Sequence, residues 1–138
     1  DTSYISREQW YDIAAYHKLK ILILLKHFHP DHPENHNIRK HDKKSYKILK
    51  DKVWTPELKE VVHNDILEKV RVDASEYAKV HVTPFLNGEK EEVFLATCVN
   101  HDKRHKKIIF NTIEAKVEEL FEKFETSVYG KNSGILAV

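Results

Sequence analysis

Four histidines lie within one short segment of the chain, and their side chains are of a type that can bind a metal ion. Residues 27–38 read HFHPDHPENHNI, so carboxylates and amides accompany the imidazoles. Neutral imidazole is the commonest protein metal ligand, and short histidine-rich tracts are typical of metal sites. The candidate ligands are His27, His29, His32 and His36. A divalent ion held there, Zn²⁺ or Mg²⁺, could activate water for hydrolysis of a phosphodiester.

A metal-dependent nuclease built on this segment would also need a general base close to the ion. The candidate residues are His32, His36, Glu34 and Asn35, with either histidine as the base. The spacing matches neither a two-cysteine, two-histidine zinc finger nor the HExxH pattern of metalloproteases. The alternative is a structural loop whose histidine and asparagine side chains satisfy backbone groups. We favour the structural loop, expect no cofactor, and keep the metal site as the alternative.

Two prolines predict that this segment is an irregular loop. Pro30 and Pro33 each lack a backbone N–H, and each disfavours helical geometry at the residue before it. Asn35 and Asn37 are residues that bond to nearby backbone and close turns. We therefore expect a rigid loop that leads into a strand at Ile38.

Two basic segments could contact phosphate groups. Residues 39–52 hold seven cations and two acids, a formal charge of +5, and residues 103–107 hold four cations in a predicted loop. The candidate phosphate contacts are Arg39, Lys40, Lys43, Lys44, Lys47, Lys103, Arg104, Lys106 and Lys107. Such contacts would bind DNA without reading its sequence, and Tyr46 could stack on a base. The alternative is a solvated strand edge whose lysines prevent aggregation.

The segment HFHPDHPENHNI, followed by lysines and then by Lys52, Val53 and Trp54, resembles a domain of giant DNA virus and large phage proteins. In those uncharacterised proteins the phrase HFNPxxPENHNI precedes a hairpin that ends in tryptophan. Their domain often lies C-terminal to a zinc finger or another DNA-binding module. The resemblance covers about residues 20–70, with His29 in place of the usual asparagine. It implies a viral protein close to nucleic acid, in the host cytoplasm, a viral factory or the nucleus, and it implies no known chemistry.

The composition predicts one globular domain over residues 1–138. Hydrophobic residues make up 41% of the chain and the net charge is +1, which excludes a disordered chain and a uniformly basic surface. The single cysteine, Cys98, allows no internal disulfide and indicates a reducing, intracellular compartment. The longest apolar run, 21–25, is too short to cross a bilayer, so no membrane partner is expected. The sequence begins at Asp1 without methionine, and we expect a fragment of a longer protein.

The chain starts with predicted helix and ends with predicted helix. Ser6 and Gln9 form a capping box that predicts a helix over residues 7–28. The last helix is predicted to begin at Asn111 or Thr112 and to end at Gly130, and residues 131–138 are expected to form a flexible tail. The predicted core residues of these two helices are Ile21, Leu22, Leu24, Leu25, Ile113, Val117, Leu120, Phe121, Phe124 and Val128.

Between these helices the pattern predicts a hairpin and two further helices. Residues 49–52 are predicted to form the hairpin turn, and Trp54 the end of its second strand. Thr55 and Pro56 have the residue types of a helix start, with Leu58, Val61, Val62, Ile66 and Val70 as its apolar stripe. That helix is expected to reach about Arg71, and another is expected from Asp73 to Val82.

The resulting architecture is α+β: four to five helices around a small antiparallel hairpin or three-stranded sheet. Three functional hypotheses follow. The leading one is a nucleic-acid-associated binding or assembly domain. The second is a protein-interaction or oligomerisation module, with another copy of the chain as a partner. The third is the metal-dependent nuclease.

Overall fold

Helices and a small sheet share the described part of the chain, residues 2–124 of the computed structural model. The helices are α1 (Arg7–Tyr16), α2 (Leu19–His27), α3 (Lys59–His81) and α4 (Gly88–Phe124), with short 3₁₀ helices at Pro33–Asn35 and Thr83–Phe85. The strands are β1 (Ile38–Lys40), β2 (Ser45–Lys50) and β3 (Val53–Leu58), which form an antiparallel sheet in the order β1-β2-β3. The predicted helix-rich α+β class is therefore confirmed. The helix end predicted at Gly130 and the tail at 131–138 lie outside the described residues.

The single helix predicted over residues 7–28 is wrong, because the chain breaks at His17. The capping box of Ser6 and Gln9 does open α1 as predicted. His17 then adopts the left-handed conformation, with φ 53° and ψ 45°, and the N–H of Lys18 donates to the carbonyl of Ile13 at 2.9 Å. This is a common way to end a helix, although glycine usually fills the left-handed position.

The new start at Leu19 changes which side of α2 faces the core. Leu19, Leu22 and Ile23 are buried, at the i, i+3 and i+4 spacing of one helix face. Ile21 is 42% exposed, so its prediction as a core residue is wrong. Leu24 and Leu25 are half-buried and pack against the core. Only Leu22 of the four predicted core residues is therefore fully buried.

The predicted hairpin is confirmed, and it extends further than expected. Asp51 and Lys52 form a two-residue turn with φ of 48° and 66°, the positive values that a type I′ turn requires. The helix start predicted at Thr55 and Pro56 is wrong, because both residues belong to β3 and α3 begins at Lys59. Since β3 is an edge strand, Pro56 can be accommodated there without breaking an interior ladder.

Helix boundaries predicted at polar positions are also wrong. Residues 59–81 form one helix rather than two, and residues 100–107, predicted as a loop, lie inside α4. The helix start predicted at Asn111 or Thr112 falls within α4 as well. Neither stretch contains glycine or proline before the helix ends, so exposed polar residues alone did not interrupt it.

One hydrophobic core joins the helices to the inner side of the sheet. Its α3 contribution includes Val62, Ile66 and Val70 as predicted, whereas Leu58 is 57% exposed and Val61 is exposed too. The most completely buried large side chains are Tyr46, Ile13, Leu19, Leu22, Ile23, Ile109, Ile113, Val70 and Val117. On α4 the predictions for Ile113 and Val117 are confirmed, Leu120 is half-buried and Phe121 is exposed. The side chain of Phe124 and residue Val128 lie outside the described set.

Candidate nucleic-acid interface

Strand alternation divides the side chains of the sheet between two faces. Residues directly opposite each other in an antiparallel pair point to the same side, and successive residues alternate. One side, called the outer face below, carries Arg39, Lys47, Leu49, Trp54 and Pro56, from the register pairs Arg39↔Lys47, Lys47↔Pro56 and Leu49↔Trp54. The other, the inner face, carries Ile38, Lys40, Tyr46, Ile48, Lys50, Thr55 and Glu57. The inner face packs against α3 and α4 and contains the buried residues Ile38 and Tyr46.

The lysines that point to the inner face are neutralised by carboxylates. Lys40 pairs with Glu118 of α4 at 2.8 Å, and Lys50 pairs with Glu57 of β3 at 3.4 Å. The Nζ atom of Lys40 also lies 4.7 Å from the ring centroid of Phe121. The candidate phosphate contact Lys40 is therefore engaged within the protein and lies on the opposite side from Arg39.

The cations on and beside the outer face are not neutralised in this way. Lys43 and Lys44 lie in the connection between β1 and β2 and are exposed. None of the ion pairs within residues 2–124 involves Arg39, Lys43, Lys44 or Lys47. Two positive charges of the outer face, Arg39 and Lys47, and two of the adjoining connection, Lys43 and Lys44, are consequently available to an external anion.

Asp42, the acid nearest to these lysines in sequence, is occupied by the loop itself. Its Oδ1 accepts hydrogen bonds from the Ser45 hydroxyl at 2.7 Å, the Ser45 N–H at 2.8 Å and the Lys44 N–H at 2.9 Å. The hydrogen bond from the Ser45 side chain, with that from the Lys44 backbone, lowers the pKa of Asp42. This carboxylate shapes the turn and leaves the ammonium groups of Lys43 and Lys44 unpaired.

Trp54 and Arg39 form a cation–π pair that crosses the outer face. The guanidinium carbon of Arg39 lies 3.9 Å from the ring centroid of Trp54, a cation–π contact between the two strands that flank β2. Trp54 is half-buried, and Leu49 beside it in the register is 40% exposed. Aromatic side chains set among cations are typical of surfaces that bind single-stranded nucleic acid.

Tyr46, predicted as the stacking residue, cannot play that role. It is 1% exposed, and its hydroxyl lies 2.7 Å from Nε2 of His63 on α3. Burial raises the pKa of Tyr46 and lowers the pKa of His63, so both groups are neutral and the phenol can donate to the imidazole. Because successive side chains of a strand point to opposite faces, the sequence already places Tyr46 and Lys47 on different faces of the sheet. The same alternation, counted from the turn at 51–52, places Trp54 on the face that carries Lys47.

The second basic cluster occupies one stretch of α4. Lys103, Arg104, Lys106 and Lys107 are all exposed, and Nζ of Lys106 lies 5.5 Å from the ring centroid of Phe110. Fourteen residues of helix separate Arg104 from Glu118, the residue that contacts Lys40. At 1.5 Å per residue this is about 21 Å. The structure therefore places Arg39 and Lys47 opposite each other in the register, with Lys43 and Lys44 in the connection that follows β1, and it places the α4 cluster about four helical turns from the residue that contacts Lys40.

The histidine side chains at positions 27, 29 and 36 form hydrogen-bond contacts with other residues of the central loop. Nδ1 of His29 accepts the N–H of Asp31 at 3.1 Å, and Nε2 of His36 donates to the carbonyl of His29 at 2.7 Å. Nδ1 of His27 lies 3.2 Å from Oδ1 of Asn37. Each of these contacts satisfies a donor or acceptor of an otherwise irregular segment. The alternative predicted for these residues, a structural loop, is the one that this geometry favours.

A tyrosine that the sequence reasoning missed anchors the same loop. The ring of Tyr4 stacks on His32, with centroids 3.8 Å apart and planes 12° from parallel. Its hydroxyl donates to the carbonyl of Leu25 and accepts from Nδ2 of Asn35. Asn35, a candidate residue of the nuclease hypothesis, is thus hydrogen-bonded to Tyr4. Glu34, another candidate, is exposed, and its Oε1 lies 2.9 Å from Nδ1 of His32. The hydrogen bond from His32 lowers the pKa of Glu34.

The four candidate metal ligands do not converge. Within residues 2–124 no group of three or more histidine, cysteine, aspartate or glutamate side chains is placed to hold one ion. His27 is largely enclosed, burial lowers its pKa, and its Nε2 has no hydrogen-bond partner. The nuclease hypothesis gains no support from this arrangement.

A second polar cluster joins α1, α3 and α4. Asp102 accepts from Nε2 of His17 at 2.6 Å and pairs with Nε of Arg71 at 2.9 Å. Beside it lies a mostly apolar cavity of about 280 Å³, which half-buried Cys98 also lines. Burial, with the negative charge of Asp102, raises the pKa of Cys98 to about 11, so the thiol is a poor nucleophile at neutral pH. The side chain of His17, the residue whose left-handed backbone ends α1, is thus bonded to α4.

No family model, curated protein or solved structure matches the chain. The resemblance carried by residues 20–70, and the viral origin that it implies, therefore stay predictions. Among the helices within residues 2–124, none is both long enough and apolar enough to span a bilayer.

Proposed function

We propose that the protein binds nucleic acid, with DNA as the expected partner, through the cations on and beside the outer face of its sheet. The observation that carries the proposal is the contrast between the two faces. Inner-face lysines are neutralised by carboxylates, whereas Arg39, Lys43, Lys44 and Lys47 are not. The overall charge of +1 does not decide the matter, because an electrostatic surface is formed by local charge.

Binding of this kind is independent of base sequence. Lysine contacts to phosphate release condensed counterions, so the affinity falls linearly with salt on logarithmic axes. The slope for duplex DNA is about 0.9 per phosphate contact. If Lys43, Lys44 and Lys47 each contact one phosphate, changing all three to glutamine lowers the slope by about 2 to 3 and the low-salt affinity by on the order of tenfold or more.

Fluorescence anisotropy of labelled DNA, measured over a range of salt concentrations, tests this prediction. The matched control is a second triple variant that removes the same charge from exposed lysines elsewhere. Its changes are Lys20→Gln, Lys69→Gln and Lys90→Gln. We expect the control to keep the wild-type slope. Equal losses for the two triple variants would mean that total charge matters rather than the outer face, and absence of binding at low salt would remove the proposal.

The α4 cluster is expected to contribute only to longer DNA. The rise along α4 from Arg104 to Glu118, the partner of Lys40 on β1, is about 21 Å, which corresponds to about six base pairs at 3.4 Å per base pair. Neutralising the cluster should therefore weaken binding to DNA of about twenty base pairs more than binding to DNA of about six. Its four changes are Lys103→Gln, Arg104→Gln, Lys106→Gln and Lys107→Gln.

Exposed apolar residues favour a second candidate function, self-association. Leu95 and Val99 of α4 are each more than half exposed, and they lie one helical turn apart on the same face of the helix. Apolar side chains gathered on an exposed helix are typical of interfaces with another chain. Sedimentation velocity should show a larger species that Val99→Asp returns to the monomer. A wild-type monomer at high concentration would remove this candidate.

A further inference from the structure

We propose that the outer face binds single strands in preference to duplexes, with a base stacked at Trp54 and a neighbouring phosphate held by Arg39. This inference rests on the proposed function and specifies its ligand. Its basis is the cation–π pair formed by the Trp54 indole and the Arg39 guanidinium, together with the side chains next to it on the sheet.

The contact with Trp54 does not use the hydrogen-bonding capacity of Arg39. The guanidinium carbon lies 3.9 Å from the ring centroid of Trp54. This is a cation–π contact rather than a hydrogen bond, so it does not consume the five N–H donors of the guanidinium. No carboxylate within residues 2–124 forms an ion pair with Arg39 either. The donors are therefore available for bidentate contact with a phosphate group beside the indole.

The apolar part of the outer face distinguishes the two forms of nucleic acid. Trp54 and exposed Leu49 lie side by side, and the cations Arg39 and Lys47 form the next row of the register. A duplex presents its phosphates to such a surface while its bases stay stacked inside. The side chains of Trp54 and Leu49 would then contact the polar sugar–phosphate backbone, with which they form no favourable interaction. A single strand offers bases as well as phosphates, so both rows of the face find complementary partners.

The position of the other aromatic side chains makes Trp54 the stacking residue. Tyr46 is on the inner face and fully enclosed, and Trp10 lies on α1, where it stacks on Tyr77 of α3. Trp54 is the aromatic residue of the outer face as the register defines it. One ring beside the unpaired cations Arg39 and Lys47, with Lys43 and Lys44 in the adjoining connection, is a small but complete set of contacts for a short stretch of single strand.

Three probes of equal length separate stacking from charge. The first is an oligothymidylate of about twelve nucleotides, a length within the range that one small domain covers. The second has the same backbone with abasic sites throughout, and the third is the corresponding duplex. We expect the thymidylate to bind at least about tenfold more tightly than the abasic strand, because only the former can stack on Trp54.

Variants of Trp54 then assign the difference to this residue. Trp54→Ala should weaken thymidylate binding by about 5- to 150-fold, the range found when a stacking aromatic is removed, and should weaken abasic-strand binding by a clearly smaller factor. Trp54→Phe should retain most of the affinity. In a Trp10→Phe background Trp54 is the one remaining tryptophan, and its fluorescence should be quenched by the thymidylate but not by the abasic strand.

The outcomes separate this inference from the proposed function. Equal affinity for thymidylate and abasic strands, or an equal loss for all three probes in Trp54→Ala, would overturn stacking while leaving phosphate binding intact. Failure of all three probes to bind would remove both proposals. If Trp54→Ala does not fold by circular dichroism, Trp54→Phe and the quenching measurement still decide the question.

Discussion

Replacing Tyr46 with phenylalanine removes one buried hydroxyl and nothing from the outer face. That hydroxyl lies 2.7 Å from Nε2 of His63, and both side chains are buried. The contact ties β2 to α3 and so helps to fix the position of the sheet. Tyr46→Phe should therefore lower stability and leave nucleic-acid affinity unchanged. Had Tyr46 been a stacking residue, as its sequence context suggested, the affinity would fall instead.

The expected loss of stability follows from the environment of His63. Its imidazole is 7% exposed, so once the phenol is removed, water cannot readily replace it at Nε2. Leaving a buried acceptor without a partner costs about 1–3 kcal/mol. The phenylalanine ring keeps the packing of the tyrosine ring, so no cavity penalty is added. For a chain of this size, each kcal/mol corresponds to roughly 3–5 °C in melting temperature.

Urea unfolding followed by circular dichroism measures this loss directly. Tyr11→Phe is the matched control, because Tyr11 is an exposed tyrosine of α1. We expect the control to change the free energy of unfolding by less than about 0.5 kcal/mol. Unchanged stability in Tyr46→Phe would refute the hydrogen bond. A weakened affinity at equal folded fraction would show instead that Tyr46 meets the ligand.

Three further perturbations test the rest of the account. Burial lowers the folded-state pKa of both His27 and His63, so below the ordinary histidine pKa the unfolded chain binds protons that the folded chain does not. The free energy of unfolding should therefore fall as the pH is lowered from about 7.5 to about 5, and His27→Gln should flatten this dependence; an unchanged slope would contradict it. His36→Ala removes the hydrogen bond to the His29 carbonyl and should lower the free energy of unfolding by about 1 kcal/mol. If the wild-type protein nicks plasmid DNA and this variant does not, the nuclease hypothesis would be supported instead. Lys52 has a left-handed backbone with φ 66°, which is strained for a residue with a Cβ atom, so Lys52→Gly should stabilise the protein by about 1 kcal/mol in thermal unfolding. A destabilised variant would show that the Lys52 side chain has a role in the turn.

The sequence predicted those features that depend on neighbouring residues. The capping box of α1 and the strand at Ile38 are written in short local patterns, and both are confirmed. The turn at 49–52 was predicted without glycine, from the alternation of Tyr46 and Ile48 before it. Local patterns were misleading where a distant contact prevailed. The helix signals of Thr55 and Pro56 were overridden because those residues contribute two of the six register pairs between β2 and β3.

Other features had no local signal at all. His17 ends α1 in a conformation that usually calls for glycine, and its partner Asp102 lies 85 residues further along the chain. Tyr4 anchors a loop whose residues begin some 25 positions later, so nothing in the histidine-rich segment pointed to it. The lysines of 39–52 were predicted as one basic cluster. Their separation into a paired set and an unpaired set required the position of Glu118 on α4.

The core and the proposed interface are coupled because both are formed by alternate residues of the same strand. Tyr46 points into the core and Lys47 points away from it. The two-residue turn at Asp51 and Lys52 sets the register of β2 and β3, and the register determines which residues point to each face. A slip of one residue between β2 and β3 would exchange the faces, exposing the phenol and burying the ammonium group. The hydrogen bond from Tyr46 to His63 opposes that slip. The packing that stabilises the sheet is thus also what keeps the unpaired cations and Trp54 on one accessible side.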